Sequence, residues 1–188
     1  MNNLTVVHNK FLSSCTYILN TGKSTVIIDP GSCLDSYLSN YHLKLPVCCF
    51  LTHAHVDHFI GLKWLKSLEP EVFIGNRSKE YVYNDKLNRL RYTDFNFNFG
   101  DYNIDFVNYE ESLEISGASI TFYSAPGHSR DSAFIVCNKF LFSGDVINPD
   151  GSVYTRHKDS DYPEALRSIR YLQEIRESQN LEIKFGHY

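Results

Sequence analysis

The chain has 188 residues, 43% hydrophobic and 21% charged, so it is expected to fold as one well-buried soluble domain over residues 1–188. A formal net charge of −4, without any block or stripe of Lys and Arg, encodes no general affinity for nucleic acid or for an anionic membrane. The N-terminal MNNLTVVHNKFLSS lacks a basic segment followed by an apolar one, and no run approaches a membrane span, which points to a cytoplasmic protein.

Three short β-like runs come first, LTVVH, CTYILN and STVIID, separated by polar turns and closed by Asp29-Pro30-Gly31. A helix-sized stretch follows. After Pro46, VCCFL is a continuous apolar run of the kind that lies covered on both faces. Then LTHAHVDHFIG places His53, His55, Asp57 and His58 close together. Phe59, Leu62, Leu65 and Leu68 recur every third residue with Trp64 beside them, predicting a short amphipathic helix ended by Pro70. The cluster thus occupies a strand-to-helix turn.

EVFIG reads as a strand, Arg77 to Asn88 as a helix, and the aromatic LRYTDFNFNFGDY, Leu90 to Tyr102, as a covering loop. SLEIS, ASITFYSA, SAFIVC and KFLFSG are four more short strands bounded by Gly, Asn or Pro. Asp161 with Glu164 resembles a capping box and Pro163 suits the first turn. Leu166, Ile169, Leu172 and Ile175 form the apolar stripe of the longest helix. LEIKF is the last strand, before Gly186-His187-Tyr188. Strands followed by a helix, twice over, suggest two packed sheets with helices outside. The cysteines, Cys15, Cys33, Cys48, Cys49 and Cys137, are odd in number and all but Cys33 lie in apolar strand-like runs, so they read as reduced core residues.

Residues two apart in an extended segment share a face, which would put His53, His55 and Asp57 on one side and start the turn at His58. Alone, such a cluster is as readily a polar surface turn as a metal site. Three further features add to it. SAPGHS sets His128, LFSGD sets Asp145 and KFGHY sets His187 each just past a strand, and loops converging at one edge of a sheet sandwich would bring them together. His8, His42 and His157 lack that context and read as ordinary surface or satisfied polar residues.

The order HxHxDH (His53 to His58), GH (His128), GD (Asp145) and GH (His187), preceded by IIDPG, resembles the metallo-β-lactamase-fold hydrolases, especially their glyoxalase II-like (hydroxyacylglutathione hydrolase-like) branch, over nearly the whole chain. The resemblance implies an α/β (α+β) fold, a four-layer αββα sandwich of two mixed β-sheets flanked by helices, with the site at one edge. It implies that His53, His55 and His128 hold one metal, that Asp57, His58 and His187 hold a second, and that Asp145 bridges both. Asp57 and Asp145 would be the catalytic carboxylates. Such ligation suits two zinc ions, with iron or manganese as alternatives. A water shared by the pair would ionise near neutral pH, giving a bridging hydroxide as nucleophile within a cationic centre. Asp29 is expected either to orient a ligand through a hydrogen bond or to cap its own turn.

Ser129 stands where the family often has Thr, Tyr188 where it commonly has Gly, and Asn148 where the lactonase-like branch carries a Tyr. A counterpart of the helical domain by which glyoxalase II enzymes bind glutathione is not expected. The reading that results is a dinuclear zinc hydrolase for a thioester or related carboxyl ester. The alternatives are a mononuclear iron enzyme resembling persulfide dioxygenases, on His53, His128 and Asp145, a phosphodiesterase or lactonase of the same fold, or a non-catalytic module. The expected partner is a small-molecule substrate, an anionic one being compatible with the centre, and neither nucleic acid nor membrane; a homodimer stays open. Recognition is assigned to two irregular segments. In Tyr92 to Tyr102, Phe95, Phe97 and Phe99 either cover an apolar group or pack as a strand face. In Asn148 to Asp159, Tyr154, Arg156 and Lys158 are candidate contacts. The terminal carboxylate of Tyr188 either packs near the second metal or against a neighbouring chain, or the end frays.

Overall fold

The computed structural model describes residues 4–115 and 117–188. Side chains of β2 (Cys15–Asn20) and β3 (Thr25–Ile28) alternate between two apolar surfaces rather than between core and solvent. Ile18 and Ile27 face one surface, and Tyr17, Leu19, Val26 and Ile28 the other. A strand covered on both faces needs a layer on each side, and that requirement sets the architecture.

The first sheet has six strands in the order β1 (Leu4–His8), β2, β3, β4 (Val47–Leu51), β5 (Glu71–Gly75) and β6 (Ile104–Val107). β1, β2 and β3 pair antiparallel, while β3 through β6 run parallel. The second sheet has the order β11 (Glu182–Lys184), β10 (Phe140–Phe142), β9 (Ala133–Cys137), β8 (Ala118–Ser124) and β7 (Ser112–Ile115); only β10 and β11 are parallel. Ser116, the last residue of the predicted SLEIS run, lies outside the described residues.

One core fills the space between the sheets, where Phe50 of β4 stacks on Phe73 with ring centroids 4.9 Å apart and meets Phe122 of β8 at 6.2 Å. Truncating a fully buried ring such as Phe50 to Ala typically costs about 3–5 kcal/mol. A second core packs the outer face of the first sheet against α1 (Leu34–Leu38), α2 (Val56–Phe59) and the turns after them, and a third packs α4 (Tyr162–Ser178) on the second sheet. The chain is therefore an α/β protein of two mixed sheets between helices, as its sequence implied. Among the described residues no helix is long and apolar enough to cross a membrane.

Three local expectations give way. The helix predicted through Leu68 is a single α-turn, α2, followed by 3₁₀ turns at Ile60–Trp64 and Lys66–Leu68. Its continuation is diverted, because Gly61 N–H donates to the Pro30 carbonyl (2.7 Å) and the Asp57 carbonyl accepts from Ser14 Oγ (3.0 Å), partners that would otherwise bond each other. Gly61 is required there, since a Cβ would fall 2.3 Å from the Gly31 carbonyl oxygen.

Between Arg77 and Asn88 only α3 (Lys79–Val82) is α-helical. Asn84 Oδ1 accepts from the backbone of Lys86 and Leu87, a local turn that outcompetes the helix. Finally, the buried stripe of α4 is Ala165, Ser168, Ile169 and Leu172, and Leu166 points outward, 41% exposed. Its cap is as read: Asp161 accepts from the Glu164 N–H at 2.8 Å.

Candidate metal centre

Each side chain of the predicted cluster sits where a strand ends at one edge of the two sheets. Thr52, just past β4, is clamped by Asp29, whose Oδ1 accepts from its N–H (2.8 Å) and whose Oδ2 accepts from its hydroxyl (2.7 Å). Asp29 itself adopts φ 49°, a left-handed conformation that Asp tolerates better than most side chains. His53 follows in a bend, and His55, in extended backbone, is the N-cap residue of α2. Asp57 and His58 lie inside that helical turn, so Asp57 does not share an extended face with His53 and His55; the helix carries it to a different group of ligands.

His128 follows β8 and the Gly127 turn, Asp145 follows β10, and His187 follows β11. Backbone bonds from Ala133 N to Thr52 O (2.9 Å), Gly186 N to Gly144 O (3.2 Å) and Cys15 N to Gly186 O (2.7 Å) stitch the strand exits of both sheets into one rim.

Three sets of donor atoms, each within 4.8 Å of one another, lie at this rim: His53, His55 and His128; Asp57, His58 and His187; and His53, His58 and Asp145 across the middle. Asp145 straddles the first two. Its Oδ2 is 3.3 Å from His128 Nε2 and 3.9 Å from His53 Nε2, and its Oδ1 is 3.2 Å from His58 Nε2 and 3.1 Å from His187 Nε2.

The donors fit a divalent cation in orientation as well as number. Three imidazoles have Nδ1 committed outward, His58 to Asp29 Oδ2 (3.0 Å), His128 to the Tyr154 carbonyl (2.8 Å) and His187 to the Leu12 carbonyl (2.8 Å), which directs each Nε2 at the centre. His53 Nε2 and Asp145 Oδ1 are buried without a hydrogen-bond partner. Such orphans are costly, and a cation between the groups satisfies them. Burial first, then the neighbouring imidazoles, hold His53 and His55 well below the ordinary imidazole value, so both are in the neutral form that ligates. Burial opposes protonation of His58, but Asp57, Asp145 and Asp29 outweigh it and push it well above that value. Burial likewise opposes ionisation of Asp145, yet His58 and His128 hold it well below the usual carboxylate range.

Asp131, which no motif singled out, ties the first group together. Fully buried, it accepts from Ala54 N–H (2.9 Å), between His53 and His55, from Ser129 Oγ (2.6 Å), next to His128, and from Ser78 Oγ (3.0 Å).

The centre opens into a cavity of about 490 Å3 whose wall includes Asp57, His128, Asp145 and His187 together with Arg89, Asn148, Tyr154, His157 and Tyr188. Of the proposed substrate contacts, only Tyr154 lines it. Arg156 and Lys158 are exposed and lie outside the wall, Lys158 within the turn that closes this segment. The cation that lines it is Arg89. His157, dismissed from sequence, packs its ring 5.1 Å from His55 and 5.2 Å from His128, and burial followed by His128 and Arg89 bring its pKa down to about 4. Phe97 and Phe99 pack on Phe59 at 4.9 and 4.5 Å and border a separate depression, so they cover the helices and not the centre. Tyr188 bonds the Asn9 carbonyl through Oη (3.1 Å) and packs on His8.

Across residues 9–178 the chain matches the family described as the metallo-beta-lactamase superfamily. It is 29% identical over 135 residues to a hydroxyacylglutathione hydrolase of Buchnera aphidicola, a match covering 71% of this chain but 47% of that protein, so the chain spans about half of that relative's length. It is 27% identical over 173 residues to hydroxyacylglutathione hydrolase GloC of Haemophilus influenzae, covering 85% of this chain and 78% of that one. The crystal structure of BLEG-1 B3 metallo-beta-lactamase shares the fold with a TM-score of 0.82 at 24% identity, covering 99% of this chain and 92% of that one.

Proposed function

From the premise that the chain belongs to the metallo-β-lactamase superfamily, we propose that it is a dinuclear metal hydrolase, zinc being the preferred ion, that cleaves a thioester or related carboxyl ester. The observation that carries this reading is Asp145, whose two oxygens face separate ligand groups; a mononuclear site has no use for the second group. The substrate class is supported by the relatives named hydroxyacylglutathione hydrolases, since an acylglutathione is a thioester.

His53, His55 and His128 would hold one ion, Asp57, His58 and His187 the other, and Asp145 both. Two ions held there would supply Lewis acidity and a water that ionises near neutral pH. The protein's part is placement. Asp29, the Tyr154 carbonyl and the Leu12 carbonyl fix three imidazoles by Nδ1, so these three are oriented before substrate arrives. Asp57 and Asp145 border the cavity, and burial of the imidazoles behind them keeps bulk water from that side of the site.

A second reading, a mononuclear iron oxygenase on His53, His128 and Asp145, draws on the way Asp145 Oδ2 faces both histidines. Elemental analysis of protein purified without added metal, followed by a screen of thioesters, lactones, phosphodiesters and persulfides, separates the two. Two zinc per chain with thioester turnover is expected. One iron per chain with persulfide oxidation would replace the hydrolase reading.

A further inference from the structure

We propose that Arg89 is the substrate's anion anchor, and that the thioester hydrolysed here carries a carboxylate on its acyl chain. This rests on the hydrolase reading above and names the substrate class of that same cavity. The inference starts from how the guanidinium is held. Arg89 sits at φ 68°, a left-handed conformation unusual for a long side chain, which turns it out of the 3₁₀ segment that follows and into the cavity wall. Its Nη2 donates to Asp159 Oδ1 (2.5 Å) and its Nη1 makes a long bond to the Lys86 carbonyl (3.4 Å), while Nε is buried without a partner. A guanidinium has five N–H donors, so this one is fixed in place with hydrogen-bonding capacity left over.

The fixing is continuous with the metal centre. Asp159 Oδ2 accepts from Tyr81 Oη (2.6 Å), and Tyr81 Oη accepts from the backbone N–H of Arg130 (3.2 Å), two residues from His128. Asp159 offsets the charge of Arg89 at long range, so the anchor works by contact, through the terminal N–H groups of the guanidinium that Asp159 and the Lys86 carbonyl leave free. Arg89 and His128 line one void of about 490 Å3. Taken as a sphere it is roughly 10 Å across, enough for a thioester carbonyl at the centre and an acyl carboxylate at Arg89 in one small molecule. Tyr154 and His157, whose rings are 4.9 Å apart, border the same void and can flank the methylenes between.

The test compares succinyl and butyryl thioesters of N-acetylcysteamine, which differ in the terminal carboxylate and share a neutral thiol, on the metal-loaded full chain. Wild type is expected to prefer the succinyl ester through KM. In Arg89→Met/Asp159→Asn, which leaves no unpaired carboxylate to repel the substrate, the succinyl-to-butyryl ratio of kcat/KM is expected to fall roughly 10- to 100-fold. Arg89→Lys should fall between. Absence of a preference in wild type overturns the proposal, as does an equal loss on both esters, which would make Arg89 a structural tie. If neither ester is cleaved and the wider ester screen is also negative, the hydrolase reading fails; whenever these two esters are not cleaved, calorimetry with the unreactive thioethers of the same two acyl shapes decides the anchor separately. Tighter binding of the carboxylate form that vanishes in the double variant supports it. Binding that is equal for both forms, or that survives the double variant because the carboxylate sits on the metals, overturns it.

Discussion

Asp29 Oδ2 lies 3.0 Å from His58 Nδ1 and 2.7 Å from Thr52 Oγ1, so one buried carboxylate both aims a ligand imidazole and clamps the segment that delivers His53. Of the two roles weighed from the sequence, its carboxylate is placed to orient a ligand and makes no bond to the Pro30-Gly31 turn it was offered as capping, where the Gly31 N–H goes to Thr16 Oγ1 instead. Asp29→Asn keeps the size and suits the left-handed backbone, but its single carbonyl oxygen cannot serve both the Oδ2 position, which takes His58 Nδ1 and Thr52 Oγ1, and the Oδ1 position, which takes the Thr52 N–H. Metal affinity, measured by competition with a chromophoric chelator, should fall about 10- to 100-fold. Affinity within about twofold of wild type would reduce Asp29 to a turn residue.

Asp145→Asn should do more, because it touches both ligand groups. The bound metal is expected to drop from two ions per chain toward one, with turnover down by at least about 100-fold, as for loss of a group that acts directly at the reacting centre. Elemental analysis beside a thioester assay reads both. Retention of two ions at near-normal rate would remove Asp145 from the bridging position.

Stability of the metal-free protein should peak near pH 6.5. His53 and His55 are held well below the ordinary 6.5 and His157 is lowered to about 4. Between those folded values and 6.5 the unfolded chain binds more protons, so stability declines as the solution is acidified through that window. For His58 and His187 burial works against protonation, but nearby carboxylates, Asp57 and Asp145 for the first and Asp145 for the second, raise both. Their contribution is complete below 6.5 and is lost as pH rises through their folded values. Metal binding displaces those protons, so the loaded protein should have its optimum at higher pH, and at 100 times Kd each site should add about 2.7 kcal/mol. Urea melts from pH 4.5 to 8.5, with and without chelator, test the crossing; a metal-free profile that rises monotonically would contradict it.

Gly127→Ala should damage the centre from a distance. Gly127 has φ 143°, and a Cβ there would fall 2.3 Å from Ala165 Cα, a backbone atom of α4 that cannot rotate away. Either α4 or the His128 turn must move. We expect a loss of about 1–3 kcal/mol in denaturant melts, together with weaker metal binding because His128 follows directly. By contrast Asp161→Ala, which removes only the cap of the same helix, should cost about 1 kcal/mol and leave metal affinity nearly intact.

What could be read from the sequence was local or carried by a motif. CTYILN and VCCFL declare strands through their apolar content, and the histidines at strand exits declare a cluster because few other roles explain them. β6 was missed, since Ile104-Asp105-Phe106-Val107 is too short and mixed to stand out without β5 beside it. Arg89 and His157 were out of reach for a related reason. Their place in the cavity depends on Asp159, Tyr81 and Tyr154, contacts that only the folded chain makes. Phe97 and Phe99 left two readings open, because rings that cover a helix and rings that cover a ligand look alike in a string of letters, and packing on Phe59 selects the first.

His58 and His187 meet across 129 positions of chain, and His55 and His128 across 73. The first group is complete only when the turn after β8 has met the segment after β4, and the second only when the last strand has docked beside β10 and the Ser14 to His187 bridge has closed. A chain caught halfway through folding therefore holds no finished cage for an ion to reward. Contacts this distant form late, so the affinity of the ions weighs on the native side of the barrier and scarcely on its summit. Loading should leave the refolding rate almost untouched and lengthen the lifetime of the folded enzyme, making the metals a brake on unfolding and not a guide to folding.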